Sequence, residues 1–249
     1  MAIPVKNAAQ IRVMRAAGDI VAGAHALLEK AAKPGATTQE LADIAEEYIR
    51  GRDAAPSFKG YRDFPGSICV SVNEEVIHGI PGPKKLRNGD IVSVDIGAYY
   101  QGFHCDAART LIVGATTPEK EKLVRVTAES FFDSIRYARD GCRLHQISAA
   151  VQDYVEPHGF SVVREFIGHG IGRDLHEAPE IPHYRQPSRG PRLARGMTLC
   201  VEPMINMGSQ EIRVLNDNWT VVTADGQCSA HYENTVLITD GDPELLTMA

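Results

Sequence analysis

The sequence predicts a mixed helix-and-strand chain built as two related halves that meet at a shared site. Three observations carry that reading. Leu86-x-x-Gly89 followed by Val94-Asp95 recurs as Leu193-x-x-Gly196 followed by Val201-Glu202, an offset of 107 residues. Gly35, Leu41, Tyr48 and Ile49 recur as Gly141, Ile147, Tyr154 and Val155 at an offset of 106. Helix pair, connector and acid-bearing strand thus occur twice in the same order, at a nearly constant offset that amphipathic helices alone would not produce. Finally, acids sit inside apolar runs in both halves, where buried carboxylates are rarely left unpaired. The halves are expected to cover about 7–115 and 116–249 of one domain, 1–249.

Taken in order, Asn7 with Gln10 forms a capping signal, and Ile11, Met14, Ala17, Val21, Ala24 and Leu28 follow at helical spacing, so a first helix should run to about Lys33. Pro34 and Gly35 break it. Thr37 with Glu40 is a capping box for a second helix carrying Leu41, Ile44, Ala45, Tyr48 and Ile49. Residues 53–66 read as a loop, 67–72 as a strand, followed by an Asn-Glu-Glu turn and 76–81. Residues 89–113 then form a hairpin. From 91 the pattern alternates, with Val92, Val94, Ile96 and Ala98 on one face and Ser93, Asp95, Gly97 and Tyr99 on the other. A turn centred on Tyr100 and Gln101 puts Asp95 opposite Asp106, and a bulge at Gly102 would shift that register by one. Directly opposed side chains lie about 4.5–5.5 Å apart at Cβ, so two carboxylates among valines and leucines need a cation or a shared proton. A metal is favoured over one exposed and one capping aspartate.

Thr117 as N-cap with Pro118 in the first turn starts a third helix. Leu144, Ile147, Val151, Tyr154 and Val155 mark a fourth, expected to end at Gly159. Short strands are expected at 162–167, 198–206, 220–223 and 231–238.

With 43% hydrophobic and 23% charged residues in 249, a sizeable core is available. A net charge of -6 argues against a general DNA or anionic-membrane binder. No stretch approaches the roughly 18 apolar residues of a membrane span, and the start lacks the apolar core of a signal peptide, so a cytoplasmic protein is expected. Cys69, Cys105, Cys142, Cys200 and Cys228 form no C-x-x-C pair and read as reduced, mostly buried small residues. Cys105 should face away from Asp106 by strand alternation.

The second half has chemistry-bearing residues of its own: Gly168-His169-Gly170-Ile171-Gly172, His176-Glu177, Glu202 after Leu199-Cys200-Val201, and Glu233 before Val236-Leu237-Ile238. A histidine between glycines suggests close backbone approach or unusual dihedrals rather than packing. Asp95, Asp106, His169, Glu202 and Glu233 together make a candidate set of four carboxylates and one imidazole. Two divalent cations would balance that charge, and the donors suit Mn, Fe(II), Co or Zn rather than a thiolate metal. Paired ions about 3.5–4 Å apart can share a hydroxide and polarise a carbonyl, the logic of metal-assisted hydrolysis.

At this point the motifs become specific. They are Val72-Asn73-Glu74-Glu75-Val76-Ile77-His78-Gly79-Ile80-Pro81, Asp95 with Gly102-Phe103-His104-x-Asp106, Gly168-His169-Gly170-Ile171-Gly172, Leu175-His176-Glu177, Glu202-Pro203-Met204 and Tyr232-Glu233-x-Thr235. Over essentially its full length the chain resembles the bacterial, type I methionine aminopeptidases. The resemblance implies the α+β pita-bread fold, with pseudo-twofold related halves around a central antiparallel sheet and helices outside, as one catalytic domain. It also implies metal-dependent removal of the N-terminal methionine from nascent proteins and peptides. Asp95 would ligate one metal through both oxygens, Asp106 and Glu233 would bridge, and His169 and Glu202 would complete the other, with a bridging water or hydroxide as nucleophile. His176 would hydrogen-bond the scissile peptide, His78 would assist near the leaving amine, and Glu202 is the general-base candidate. The methionine side chain would meet Phe58, Tyr61, Phe64, Cys69, Leu175 and Trp219. Asn73 and Ser229 match positions that hold a monovalent cation in relatives.

Cys105 and Asn234 depart from the common glycine and histidine of relatives, which bears on tuning rather than on the reaction. His104 is expected to point away from the metals. A monomer is expected, and the arginine-rich loop 185–195 suggests transient ribosome contact, weighed against a solvated surface loop. Two alternatives compete. An Xaa-Pro aminopeptidase or dipeptidase on this fold usually carries a large extra N-terminal domain, whereas the catalytic half here begins within the first dozen residues. A non-catalytic binding protein would tend to lose ligands, and all five are present.

Overall fold

Each helix begins where a side chain satisfies backbone N–H groups that the helix leaves open. The computed structural model describes residues 3–248; Met1, Ala2 and Ala249, at the ends of the expected 1–249 domain, lie outside the described residues. Helix α1 (Ala8–Ala31) starts at Asn7, whose side chain accepts from Ala9 and Gln10 while Gln10 accepts the Asn7 N–H. Helix α2 (Thr38–Arg50) has the matching box of Thr37 and Glu40. Helix α3 (Pro118–Ser134) is capped by Thr117, and α4 (Leu144–Val155) by Gln146 accepting the Arg143 N–H. Gly159 does not end α4 directly: a 3₁₀ turn (Glu156–His158) intervenes, and Gly159 ends that turn in the left-handed region.

In the first half the strands are β1 (Ala55–Pro56), β2 (Cys69–Val72), β3 (Glu75–Ile77), β4 (Ile91–Tyr100) and β5 (Phe103–Ile112). The second half adds β6 (Ser161–Val162), β7 (Gly168–Gly170), β8 (Glu177–Ile181), β9 (Thr198–Val201), β10 (Met204–Asn206), β11 (Ile212–Val214), β12 (Val221–Thr223), β13 (Ser229–His231), β14 (Asn234–Leu237) and β15 (Glu244–Leu245). A four-stranded sheet runs β1-β4-β2 with β5 on β4, and a five-stranded sheet runs β15-β14-β9-β7-β8. Two three-stranded sheets, β13-β10-β6 and β11-β12-β3, complete the set among the described residues.

Three strand expectations need correction. Of the segment expected at 162–167 only Val162 lies in a strand, at the end of β6 (Ser161–Val162), and the next strand begins at Gly168. The strand expected at 198–206 breaks at Glu202-Pro203 into β9 and β10, which belong to different sheets, and the one expected at 231–238 breaks at Tyr232-Glu233 into β13 and β14. Proline cannot donate to a ladder, which explains the first break. The second lies beside it, because Val201 pairs with Asn234 while Met204 pairs with His231. Glu202 and Glu233 therefore sit where the chain crosses from one sheet to the next.

The hairpin register also differs from the expectation. Its turn is Gln101-Gly102, with φ of 46° and 89°, the two left-handed residues of a tight two-residue hairpin. Asp95 consequently faces Ala108, and Asp106 faces Gly97. Because the slip is two positions in the partner strand, both acids stay on one face, as diagonal neighbours. The other face packs on α1, where the Cys105 thiol donates to the Met14 carbonyl at 3.1 Å and His25 Nε2 to the Ala107 carbonyl at 2.8 Å.

The internal repeat is visible as duplicated hydrogen bonds. Gly35 N–H donates to Leu86 O and Gly141 N–H to Leu193 O, while Leu86 N–H reaches Ala36 O and Leu193 N–H reaches Cys142 O. Gly89 N–H joins Val113 O, and Gly196 N–H joins Ile238 O. The halves share a core: Ile171, Leu175, Cys200 and Leu237 of the second pack with α1, α2, β4 and β5 of the first. Among the described residues, no helix is long and apolar enough to cross a membrane.

Candidate metal centre

Five polar side chains converge where the two halves meet. Asp95 comes from β4, Asp106 from β5 and His169 from β7, while Glu202 and Glu233 come from the two sheet crossings. The glycines beside His169 answer to close approach: a Cβ would lie 2.4 Å from the Cys200 carbonyl at Gly168 and 2.2 Å from the Ala178 carbonyl at Gly170. His169 Nδ1 lies 2.9 Å from the Gly170 carbonyl, which can only accept. The Nε2 lone pair is thereby left free, 3.4 Å from Glu202 Oε1.

The electrostatics is that of a site built for cations. Asp95 Oδ1, Asp106 Oδ1, Glu202 Oε1 and Glu233 Oε1 are buried without a hydrogen-bond partner. Burial, then the neighbouring Asp106 and Glu233, pushes Asp95 well above the usual carboxylate range. Glu202 rises for the same reason with Asp95 and Asp106 beside it, and Glu233 with Asp106 and Glu202. Burial also raises Asp106, to about 7, against hydrogen bonds from Asp95 and the Ala107 N–H. Burial lowers His169 to about 3, so its imidazole is neutral, the form that ligates a metal. Four crowded carboxylates, each with an unpartnered oxygen, and a neutral imidazole fit divalent cations both in charge and in donor type. Asp106, His169, Cys200 and Glu233 each offer a ligating atom within 4.8 Å of the others.

A seam of hydrogen bonds ties the acids of the two halves together. The Thr235 hydroxyl accepts the Asp106 N–H and donates to the Asp106 carbonyl, both at 2.9 Å. Glu233 N–H donates to Ala108 O at 2.9 Å. Arg109 donates to the Glu233 carbonyl and, at 2.6 Å, to Asn234 Oδ1, with its guanidinium 4.4 Å from the Tyr232 ring centroid. Asn234 thus has a structural duty here, as Cys105 has on α1. Behind Glu202, its N–H donates to His183 Nε2 at 3.0 Å, and His231 Nε2 lies 3.9 Å from Oε2.

The acids form the floor of a cleft of about 290 Å³. Every residue expected around the methionine side chain lines it: Phe58, Tyr61, Phe64, Cys69, Leu175 and Trp219, with His78 and His176. Phe64 meets Trp219 edge-on at 5.1 Å, and His78 stands edge-on to Phe166 at 5.5 Å. The Tyr61 hydroxyl is 2.8 Å from His176 Nδ1, and the two rings stack at 5.2 Å. Burial lowers both His78 and His176 to about 4, with His176 acting on the former and Arg62 on the latter, so both rings are neutral near pH 7.

Sequence reasoning missed several neighbours. Arg62, Glu165 and Phe166 also line the cleft. Cys200, read as a small apolar residue, lies two positions before Glu202, a spacing that in a strand puts both on one face. His183 acts through a contact remote in sequence, which no local pattern signals, and Thr235, although part of the Tyr232-Glu233-x-Thr235 motif, was given no role there. His104 shares the Asp106 face by alternation, yet its Nδ1 contacts the Ser57 hydroxyl at 2.9 Å, its ring stands 4.6 Å from Tyr99, and it does not line the cleft. Asn73 and Ser229 do meet, Ser229 N–H donating to Asn73 O at 2.8 Å, and the Lys120 ammonium lies on Asn73 Oδ1 at 3.1 Å. In the loop 185–195, Arg185 pairs with Asp153, Arg195 with Asp240, and Arg192 donates to the Gly141 carbonyl.

A buried carboxylate–imidazole cradle beneath an apolar, aromatic cleft defines the class as metal-dependent hydrolases. Residues 12–240 match metallopeptidase family M24. The methionine aminopeptidase of Clostridium perfringens is 55% identical over 246 residues, covering 99% of each chain, and methionine aminopeptidase 1 of Bacillus subtilis is 53% identical over 97% of this chain and 98% of its own. A solved methionine aminopeptidase from Thermotoga maritima superposes with a TM-score of 0.98 at 44% identity, each chain covered fully. The prolidase of Pyrococcus furiosus, 21% identical, superposes with a TM-score of 0.81 over 98% of this chain and 65% of that one, a likeness of fold. The chain belongs to metallopeptidase family M24, in its methionine aminopeptidase branch, and has the pita-bread fold.

Proposed function

We propose that this chain removes N-terminal methionine from nascent proteins and peptides, as one catalytic unit of two pseudo-symmetric halves working as a cytoplasmic monomer. The observation that carries the reading is the set of unpartnered, buried carboxylate oxygens at the foot of an apolar cleft sized for one side chain. Asp95, Asp106, His169, Glu202 and Glu233 would hold two divalent ions. When bound, such a pair polarises the scissile carbonyl and supplies an activated water.

The remaining work falls to the protein. Phe58, Phe64, Cys69, Leu175 and Trp219 receive the methionine side chain and exclude water. Tyr61 holds His176 through its hydroxyl, so that the neutral imidazole presents its other nitrogen to the scissile peptide. His78, fixed between Phe166 and Trp219, stands on the leaving-amine side. Glu202, steered by His183, is the group placed to accept the water's proton. The C–N bond breaks as the amine takes up a proton.

The test is hydrolysis of Met-Ala-Ser, Leu-Ala-Ser and Ala-Pro after metal removal and add-back of Mn, Fe(II), Co or Zn. Free methionine from the first peptide alone is expected. Cleavage of Ala-Pro instead would favour the Xaa-Pro reading, and no cleavage with any metal would favour a binding protein.

A further inference from the structure

We infer that Cys200 supplies a sulfur ligand to the metal centre, making one ion position of this chain a mixed site of Asp106, Glu233, His169 and Cys200. The inference rests on the metallopeptidase reading and specifies its donor set. Strand pairing aims the thiol: Cys200 stands directly opposite His169 on β7 and opposite Thr235 on β14, and directly opposed residues project to the same face.

Distance agrees with direction. The ligating atoms of the four residues all lie within 4.8 Å of one another. Ions that bind sulfur at about 2.3 Å and oxygen or nitrogen at about 2.0–2.1 Å can span such a group. Asp106 and Glu233 are 4% and 2% exposed, and each aims an unpartnered oxygen into it. The polar neighbours of the Cys200 thiol are the Thr235 hydroxyl at 3.8 Å and the Glu233 carboxylate, the latter itself a member of the proposed donor set. Cys105 differs on both counts, since its sulfur is engaged with Met14 O on the far face of β5.

Metal binding would break the S–H bond and form a sulfur–metal bond, the proton passing to buffer. A soft donor added to an oxygen-rich set biases the site toward Zn, Co and Fe(II) over Mn.

Cobalt reads this directly, because sulfur ligation adds a near-ultraviolet charge-transfer band to the visible d–d bands that any bound Co(II) shows. The full-length protein, stripped with chelator and kept reduced without added thiol, is titrated with Co(II). The expected result is a charge-transfer band in the wild type that is absent in Cys200→Ser and in Cys200→Thr, with d–d bands in all three. Zn affinity should fall by about 10-fold or more in the variants, and Mn affinity by much less. Visible bands without a charge-transfer band in the wild type would overturn the inference and reduce Cys200 to a hydrogen-bond donor. Persistence of the band in Cys200→Ser would transfer the role to Cys69 and overturn it equally. If neither variant folds, X-ray absorption on the wild-type zinc protein decides: a sulfur scatterer supports the inference, its absence refutes it. Failure to bind any cobalt would sink the metallopeptidase reading itself, a result distinct from the loss of the sulfur signal alone.

Discussion

Asp106 stands opposite Gly97 across the β4–β5 hairpin, two residues along the same face from Asp95. Two acids placed directly opposite would repel at the closest range, whereas a diagonal pair aims both carboxyls inward from one face, here near enough to share a hydrogen bond. The residue that makes this possible has no side chain. A Cβ at Gly97 would lie 2.7 Å from Ser57 Cβ and 2.8 Å from Phe58 Cε1.

Gly97→Ala is therefore expected to push Phe58 out of the methionine wall. Overpacking of this kind costs roughly 1–3 kcal/mol, and KM for Met-Ala-Ser should rise more than kcat falls. Steady-state kinetics alongside urea unfolding would check both parts.

Thr235→Val keeps the shape but leaves the buried Asp106 N–H without its acceptor. An unsatisfied buried donor costs about 1–3 kcal/mol, and the first half should lose its tie to the second beside the acids. A lower denaturation midpoint with weaker metal binding is expected, with both recovered in Thr235→Ser.

Lys6 Nζ lies 2.6 Å from Glu177 Oε2, with side chains only 4% and 8% exposed. Glu177 Oε1 also accepts the Arg173 N–H at 2.8 Å, so the pair fixes the loop that carries His176. Lys6→Met should destabilise by about 3–5 kcal/mol, because it leaves a carboxylate buried alone, and the double change Lys6→Met with Glu177→Met should recover most of that. Chemical denaturation of the single and double variants measures it.

The pH dependence of the metal-free protein follows from the acids. Their folded values are raised above those of the unfolded chain, so the native state keeps protons that the unfolded state has lost, and stability falls as pH rises. The buried histidines act in the opposite sense, but only below their ordinary value of about 6.5. Between about pH 6.5 and pH 8 the acids dominate, and the Tm of the chelated protein should drop, while the gain from added divalent ion should grow. A flat or rising Tm without metal would contradict this.

Much of the fold was legible because capping and periodicity are local. Asn7, Thr37 and Thr117 announce their helices, and the repeat from Leu86 to Leu193 survives as matching hydrogen bonds. What failed were judgements that depend on the partner strand. The hairpin turn fell one residue late, and two segments that read as single strands break where Glu202 and Glu233 cross between sheets. The acids were legible as charges in apolar runs, and His169 as a histidine between glycines. Cys200 was not, since a cysteine in such a run looks like core until its neighbours His169 and Glu233 are in place; His183, and the tie that Thr235 of the Tyr232-Glu233-x-Thr235 motif makes to Asp106, owe their roles to contacts distant in the chain.

The central claim, a two-ion cradle shared between the halves, is tested most directly by counting metal in Asp106→Asn. Elemental analysis after equilibrium dialysis, on wild type and variant with matching circular dichroism, should find two ions per chain in the wild type and fewer in the variant. Methionine release should fall by more than the roughly 10–100-fold that outer-shell partners cost. A variant that retains two ions and wild-type release would contradict the account.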